Sequence, residues 1–166
     1  MTGRSLMRSK WGRFMTADQM WAEFAAANGI HDKDWEAWAY GGDTDGLAGL
    51  TLKGIKTATS SAYPLYALEG EPLPEAGEYG VILDSREEAV CVIRTERVAV
   101  VPFRDVGEAH ARREGEGDRS LAYWRQVHEA FFSEELARAG LAFDGDMPVV
   151  CEEFRRVWPQ QGGEVC

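Results

Sequence analysis

Met20, Trp21, Phe24 and Ala27 recur at helical spacing directly behind Thr16-Ala17-Asp18-Gln19, which has the form of a capping box. The pattern predicts a helix that Asn28-Gly29 ends. Trp35, Trp38 and Tyr40 form a short aromatic segment closed by Gly41-Gly42. Starting at Thr44 or Asp45, the leucines Leu47, Leu50 and Leu52 predict a further helix that stops near Gly54. Between Pro64 and Gly77 three prolines and two glycines interrupt every period, so this stretch is expected to wrap a surface. Alternation then takes over. Tyr79–Asp84 and Ala89–Thr95 predict a hairpin across the polar link Ser85-Arg86-Glu87-Glu88, and Arg97–Phe103 extends the β character to Pro102.

Asp105 or a neighbour is expected to start a short helix through Glu108 and Ala111, followed by a flexible acidic loop from Glu114 to Asp118. Asp118 is the expected N-cap of a long helix with the apolar stripe Leu121, Trp124, His128, Phe131, Phe132 and Leu136, stopped by Gly140. Met147–Trp158 reads as a strand whose imperfect alternation implies a bulge. Helices first, then strands interrupted by one long helix, predict an α+β fold with a small mixed or barrel-like sheet.

A chain of 166 residues fits one domain, expected over 15–158. Residues 1–14 carry Arg4, Arg8, Lys10 and Arg13 without the apolar run of a secretory signal. They are expected to be a disordered basic arm or a tag-like extension, and 159–166 a frayed tail. Apolar runs are too short to span a bilayer, which removes the membrane as partner and points to a cytoplasmic protein. A net charge of −10 argues against broad, charge-driven binding to nucleic acid but leaves room for a pocket holding one nucleotide. Cys91, Cys151 and Cys166 lack paired spacing, so neither a disulfide framework nor a zinc site is expected.

Candidate chemistry concentrates in Gly54-Ile55-Lys56-Thr57-Ala58-Thr59, followed by Ser60 and Ser61: one amine among four hydroxyls. An amine can deprotonate a nearby hydroxyl or hold the anion that forms when the hydroxyl attacks. The same residues also fit a solvated strand start whose threonines merely suit β structure. A phosphate-binding loop is excluded, because Ile55 stands between Gly54 and Lys56 and the helix precedes the motif. Glu114, Glu116 and Asp118 alternate like calcium ligands but lack the required glycine and terminal glutamate. His128 on its apolar face reads as a hydrogen-bonded core residue, and Trp124 as packing. Tyr123, on another face, is the better candidate to stack on a base. Trp21, Phe24, Trp35 and Trp38 read as core.

The run at 54–59 resembles the G-x-K-T-x-T motif of the ASCH family. Glu114-Gly115-Glu116-Gly117-Asp118-Arg119-Ser120-Leu121, continuing into Tyr123-Trp124-Arg125 and His128, resembles the second block of the longer bacterial members. Val150-Cys151-Glu152-Glu153-Phe154 is similar to their closing strand, and Tyr40-Gly41-Gly42-Asp43 to the segment before the first motif. The resemblance covers roughly residues 20–158. It implies a PUA-like fold, a small β-barrel with helices packed around it, and a cleft for RNA or a modified nucleoside.

It further implies catalytic roles for Lys56, Thr59 and Glu114, with Glu116 able to take the place of Glu114. Thr57, Ser60, Ser61, Glu116, Ser120 and Tyr123 are the implied substrate-binding residues. As an amidohydrolase of N4-acetylcytidine, the protein would use Lys56 to accept the proton of Thr59, and Thr59 to attack the acyl carbon. Glu114 or Glu116 would orient Lys56 or protonate the departing amine. That reading needs no cofactor. The alternatives are a ribonuclease cutting single-stranded RNA with a divalent cation recruited by the 114–118 carboxylates, and a non-catalytic module for RNA or a nucleotide.

Overall fold

A computed structural model describes residues 14–160. The expectations for 1–13 and for the tail from residue 161 lie outside them. In chain order the elements are α1 (Ala17–Asn28), β1 (Trp35–Ala39), α2 (Thr44–Leu52), β2 (Ala58–Ala62), α3 (Tyr63–Glu69), β3 (Tyr79–Leu83) and β4 (Ala89–Pro102). A 3-10 turn at Phe103–Asp105 follows, then α4 (Glu108–Glu114), α5 (Leu121–Arg138) and β5 (Pro148–Trp158). The strands form one mixed sheet in the order β1-β3-β4-β5-β2.

The described residues group into two compact units. The first holds those up to Lys53, Glu78–Arg94 and those from Arg156. In it β1 runs parallel to β3, and β3 runs antiparallel to β4 as the expected hairpin. The capping box of α1 is present in both directions, and Gly29, at φ 62°, ends that helix. Met20, Phe24, Val81 and Val92 form the buried centre of this unit. Trp21 and Trp35 stack at 5.4 Å on its margin and stay half-buried, as does Trp38, which meets the Tyr40 ring edge-on. Of the four aromatics expected in the core, only Phe24 is fully inside. An indole is too large for full burial at the edge of so small a sheet.

The second unit holds Gly54–Gly77 and Thr95–Arg155. Here β2 pairs antiparallel with β5, in register from Ala58 opposite Glu153 to Ala62 opposite Val149. The Trp124, Phe132 and Leu136 side chains of α5 pack with Ala62, Leu65, Phe103, Met147 and Val149. Phe131, expected in the same stripe, is 38% exposed because the buried line runs through Trp124, His128, Phe132 and Leu136.

Two local expectations give way. The proline-rich stretch after Pro64 opens as a helix, α3. Pro64 sits in its first turn, where a missing N–H costs nothing. Ser120, not Asp118, caps α5: its Oγ accepts from the Tyr123 N–H at 3.1 Å, while Asp118 accepts from the Ser120 N–H at 2.8 Å. A register irregularity lies between Ile82 and Leu83 of β3, and the stretch of β5 from Val149 to Glu153 pairs evenly with β2.

Candidate active site

The segment between α2 and β2 is fixed by backbone bonds to two distant elements. Thr57 donates its N–H to the Arg113 carbonyl at 2.7 Å, and its hydroxyl donates to the same oxygen at 3.3 Å. The Thr57 carbonyl accepts from the Phe154 N–H at 2.9 Å. Helix α4 stops at Gly115 (φ 71°), where an added Cβ would lie 2.7 Å from the Ile55 carbonyl oxygen. Only a glycine permits both that left-handed turn and that approach. Glu114, the last residue of α4, is thereby held directly against Lys56.

Lys56 is 2% exposed and Glu114 1%. The Lys56 ammonium donates to Glu114 Oε1 and Glu116 Oε2, each at 3.2 Å, and reaches the Glu114 carbonyl at 3.4 Å. The other Glu114 oxygen, Oε2, accepts from the Ser60 hydroxyl at 2.7 Å and from the Trp124 indole N–H. It also faces His110 Nε2 at 3.2 Å and His128 Nε2 at 3.4 Å. Ser60 Oγ lies 2.7 Å from His110 Nε2 as well.

Burial alone would raise the Glu114 carboxyl. Hydrogen bonds from His110 and His128 and the charge of Lys56 outweigh it and hold the group well below its ordinary 4.5. At His128 burial favours the neutral ring, but the hydrogen bond and charge of Glu114 outweigh it and raise the imidazole above its ordinary value. The hydrogen-bond pattern agrees. His128 Nδ1 lies 2.8 Å from the Trp124 carbonyl, which can only accept, while Nε2 faces a carboxylate, so both nitrogens carry protons. Two carboxylates are thus balanced by one ammonium and one imidazolium. By contrast, burial pushes the Cys91 and Cys151 thiols up to about 12, which leaves them inert.

The model of the family described as the ASCH domain matches residues 36–158. The chain belongs to the ASCH domain family. Its structure superposes on an ASCH domain from Lactobacillus crispatus with a TM-score of 0.80 at 29% identity, covering 84% of this chain and 92% of that one. A DUF984 protein from Enterococcus faecalis gives 0.76 at 35% identity, over 84% and 86%. A comparison with curated protein sequences gives no match. The α+β arrangement is therefore the PUA-like fold of ASCH domains.

Within this ASCH domain, Lys56, Glu114, Glu116 and Ser60 converge. Lys56 is no solvated strand start. Glu114 and Glu116, expected in a flexible loop, are drawn in by the ammonium, and Glu114 ends a helix. Strand alternation puts Ser60 on the face of Ala58 and Ala62, and turns Thr59 and Ser61 to the other face. The cluster's hydrogen bonds accordingly run to Ser60. Ser61 instead meets the Tyr66 hydroxyl at 2.6 Å. Thr57 bonds backbone, and Ser120 caps α5. Tyr123 is 37% exposed, with its ring against Gly117. Sequence reasoning passed over His110. The signal available was its spacing of four from Glu114, one turn apart on a helix.

Proposed function

We propose that this ASCH domain binds a modified nucleoside or a short single-stranded RNA segment and hydrolyses the amide of an acylated cytidine. The observation that carries the reading is the fully buried Lys56 between two glutamates. Lysine is almost never inside a protein, and a buried ion cluster returns no more stability than apolar residues of the same volume. Such a group is retained for chemistry more readily than for strength. The family resemblance supplies the substrate class.

Lys56 turns one N–H from Glu116 to the oxygen that gains negative charge as the carbonyl is attacked. Glu114, held as a carboxylate, orients that ammonium and does not give up a proton. Glu116, whose side chain is 18% exposed, meets the substrate side and serves the departing amine. The reaction needs no cofactor, and its setting is the cytoplasm. No helix among the described residues is long and apolar enough to cross a membrane.

The test is release of cytidine from N4-acetylcytidine, followed by chromatography, beside calorimetric binding of a nucleoside panel. Glu116→Gln should keep the fold and lose turnover by about a hundredfold or more. Folded protein that neither binds nor hydrolyses any nucleoside or RNA would sink the reading.

Cleavage of single-stranded RNA with a divalent cation is the second reading. One donor atom each from Glu114, Glu116 and His128 lies within 4.8 Å of the others. The donor set fits such an ion poorly, because Lys56 already holds one oxygen of each carboxylate and His128 carries two protons. A net charge of −10 also opposes phosphate binding. Loss of oligonucleotide cleavage on adding a chelator would favour this second reading.

A further inference from the structure

We infer that the turn from Gly115 to Gly117 reads the base: the Tyr123 ring stacks on it, and Glu116 Oε1 accepts the N–H of its exocyclic nitrogen. The inference rests on the nucleoside reading above and deepens it by naming the bases that fit. Those are bases with an exocyclic N–H, such as cytosine or N4-acetylcytosine, and not uracil.

Two glycines shape the turn, at φ 71° for Gly115 and 57° for Gly117. A Cβ on Gly115 would meet the Ile55 carbonyl oxygen at 2.7 Å and its Cγ2 at 3.0 Å. A Cβ on Gly117 would lie 2.5 Å from Cε1, 2.5 Å from Cζ and 2.7 Å from Cε2 of Tyr123. Near-equal distances to three neighbouring ring atoms place Gly117 over the face of the phenol, not at its edge. Each glycine thus gives up its side chain where a neighbour lies. Glu116 is the one residue of the turn that keeps a side chain, with Ile55 seated at one glycine and Tyr123 at the other.

Both neighbours stay open to solvent, Ile55 at 40% and Tyr123 at 37% exposure. One face of the Tyr123 ring lies on backbone, and no other ring of the described residues meets the second face. A phenol backed on one side and open on the other is a stacking platform, which suits any base by its π face and discriminates little by itself.

Discrimination comes from Glu116. Its Oε2 accepts from the Lys56 ammonium at 3.2 Å, while Oε1 has no hydrogen-bond partner among the described residues. A carboxylate oxygen only accepts, so Oε1 calls for a donor on the ligand. Cytosine offers its N4–H, and an N4-acyl group still leaves one. Uracil carries the O4 acceptor in that place, and two acceptors face to face repel. The acyl carbon is one bond from N4, and Lys56 is one hydrogen bond from Glu116, so the same contact brings the amide to the ammonium.

The test titrates the full chain with cytidine, N4-acetylcytidine and uridine by calorimetry, follows the base H5 and H6 by NMR, and measures cytidine release in parallel. Cytidine and N4-acetylcytidine should bind at least about tenfold more tightly than uridine. H5 and H6 should move upfield on binding, as protons over an aromatic face do. Tyr123→Leu should lose about tenfold in affinity together with the upfield shift, and Tyr123→Phe should keep both. Wild-type selectivity and the upfield shift need no variant, so they decide if Tyr123→Leu does not fold. Uridine binding as tightly as cytidine, unmoved base protons, or wild-type affinity in folded Tyr123→Leu overturns the inference. Selective, ring-dependent binding without cytidine release leaves the inference standing and removes amide hydrolysis instead. Hydrolysis at wild-type KM by Tyr123→Leu keeps amide hydrolysis and overturns the inference, and a chain that binds none of the three overturns both.

Discussion

Replacing Lys56 by methionine keeps an unbranched side chain, one atom shorter, and removes its charge. Two carboxylate oxygens then lose a cation at 3.2 Å. At an effective dielectric constant of about 20, each such contact is worth about 5 kcal/mol of gross attraction. Desolvation of the charges offsets most of that while the cluster is intact. Deleting the lysine alone leaves the Glu114 desolvation in place and removes its compensation, a loss of about 3–5 kcal/mol for a broken buried pair. Glu116 can relax toward water, and His128 still faces Glu114, so the lower end of that range is expected. Against a typical total stability of about 5–15 kcal/mol, the variant should fold but melt early. Urea unfolding measures this directly, as a lower midpoint at unchanged slope. Lys56→Met combined with Glu114→Gln should cost less than the two single changes added together. Strict additivity, or a single-variant loss below about 0.5 kcal/mol, would refute the buried pair as the source of the effect.

The same cluster sets a pH response. Glu114 is depressed below its ordinary 4.5, so its contribution to stability is complete above that value and is lost as pH falls toward the lower folded one. His128 is raised above its ordinary 6.5, so its contribution is complete below that value and is lost as pH rises through the higher folded one. Thermal melts across pH should therefore flatten on the acid side in Glu114→Gln and on the alkaline side in His128→Asn; unchanged limbs would show that these groups do not govern stability. Gly115→Ala forces a left-handed residue, at about 1–2 kcal/mol, and drives its Cβ to 2.7 Å from the Ile55 carbonyl oxygen. Gly29→Ala, at φ 62° with nothing near its Cβ, carries the backbone cost alone. Equal losses in the two variants would mean that the Ile55 approach contributes nothing.

The sequence determined the elements whose signals are local. A capping box and a glycine bound α1, the alternation of Tyr79–Leu83 and Ala89–Pro102 marks the hairpin, and the Trp124-His128-Phe132-Leu136 spacing marks the buried side of α5. Periodicity and capping act within one or two turns, so one stretch of chain is enough to read them. The motif at 54–59 also singled out Lys56, the amine that the fold buries between two glutamates. Its strand parity was legible too, since a period of two from Ala58 leads to Ser60 and away from Thr59.

Only the tertiary structure decided what surrounds that amine. Glu114 closes a helix because Lys56, fifty-eight positions away, draws its carboxylate inward and because Gly115 fits under the Ile55 carbonyl. His110 meets Ser60 across fifty positions, and His128 becomes an imidazolium because Glu114 stands opposite it. No local pattern encodes such meetings. They follow from the pairing of β2 with β5 and from α4 and α5 bringing His110 and His128 to the Glu114 carboxylate, and burial there makes each charge depend on the next.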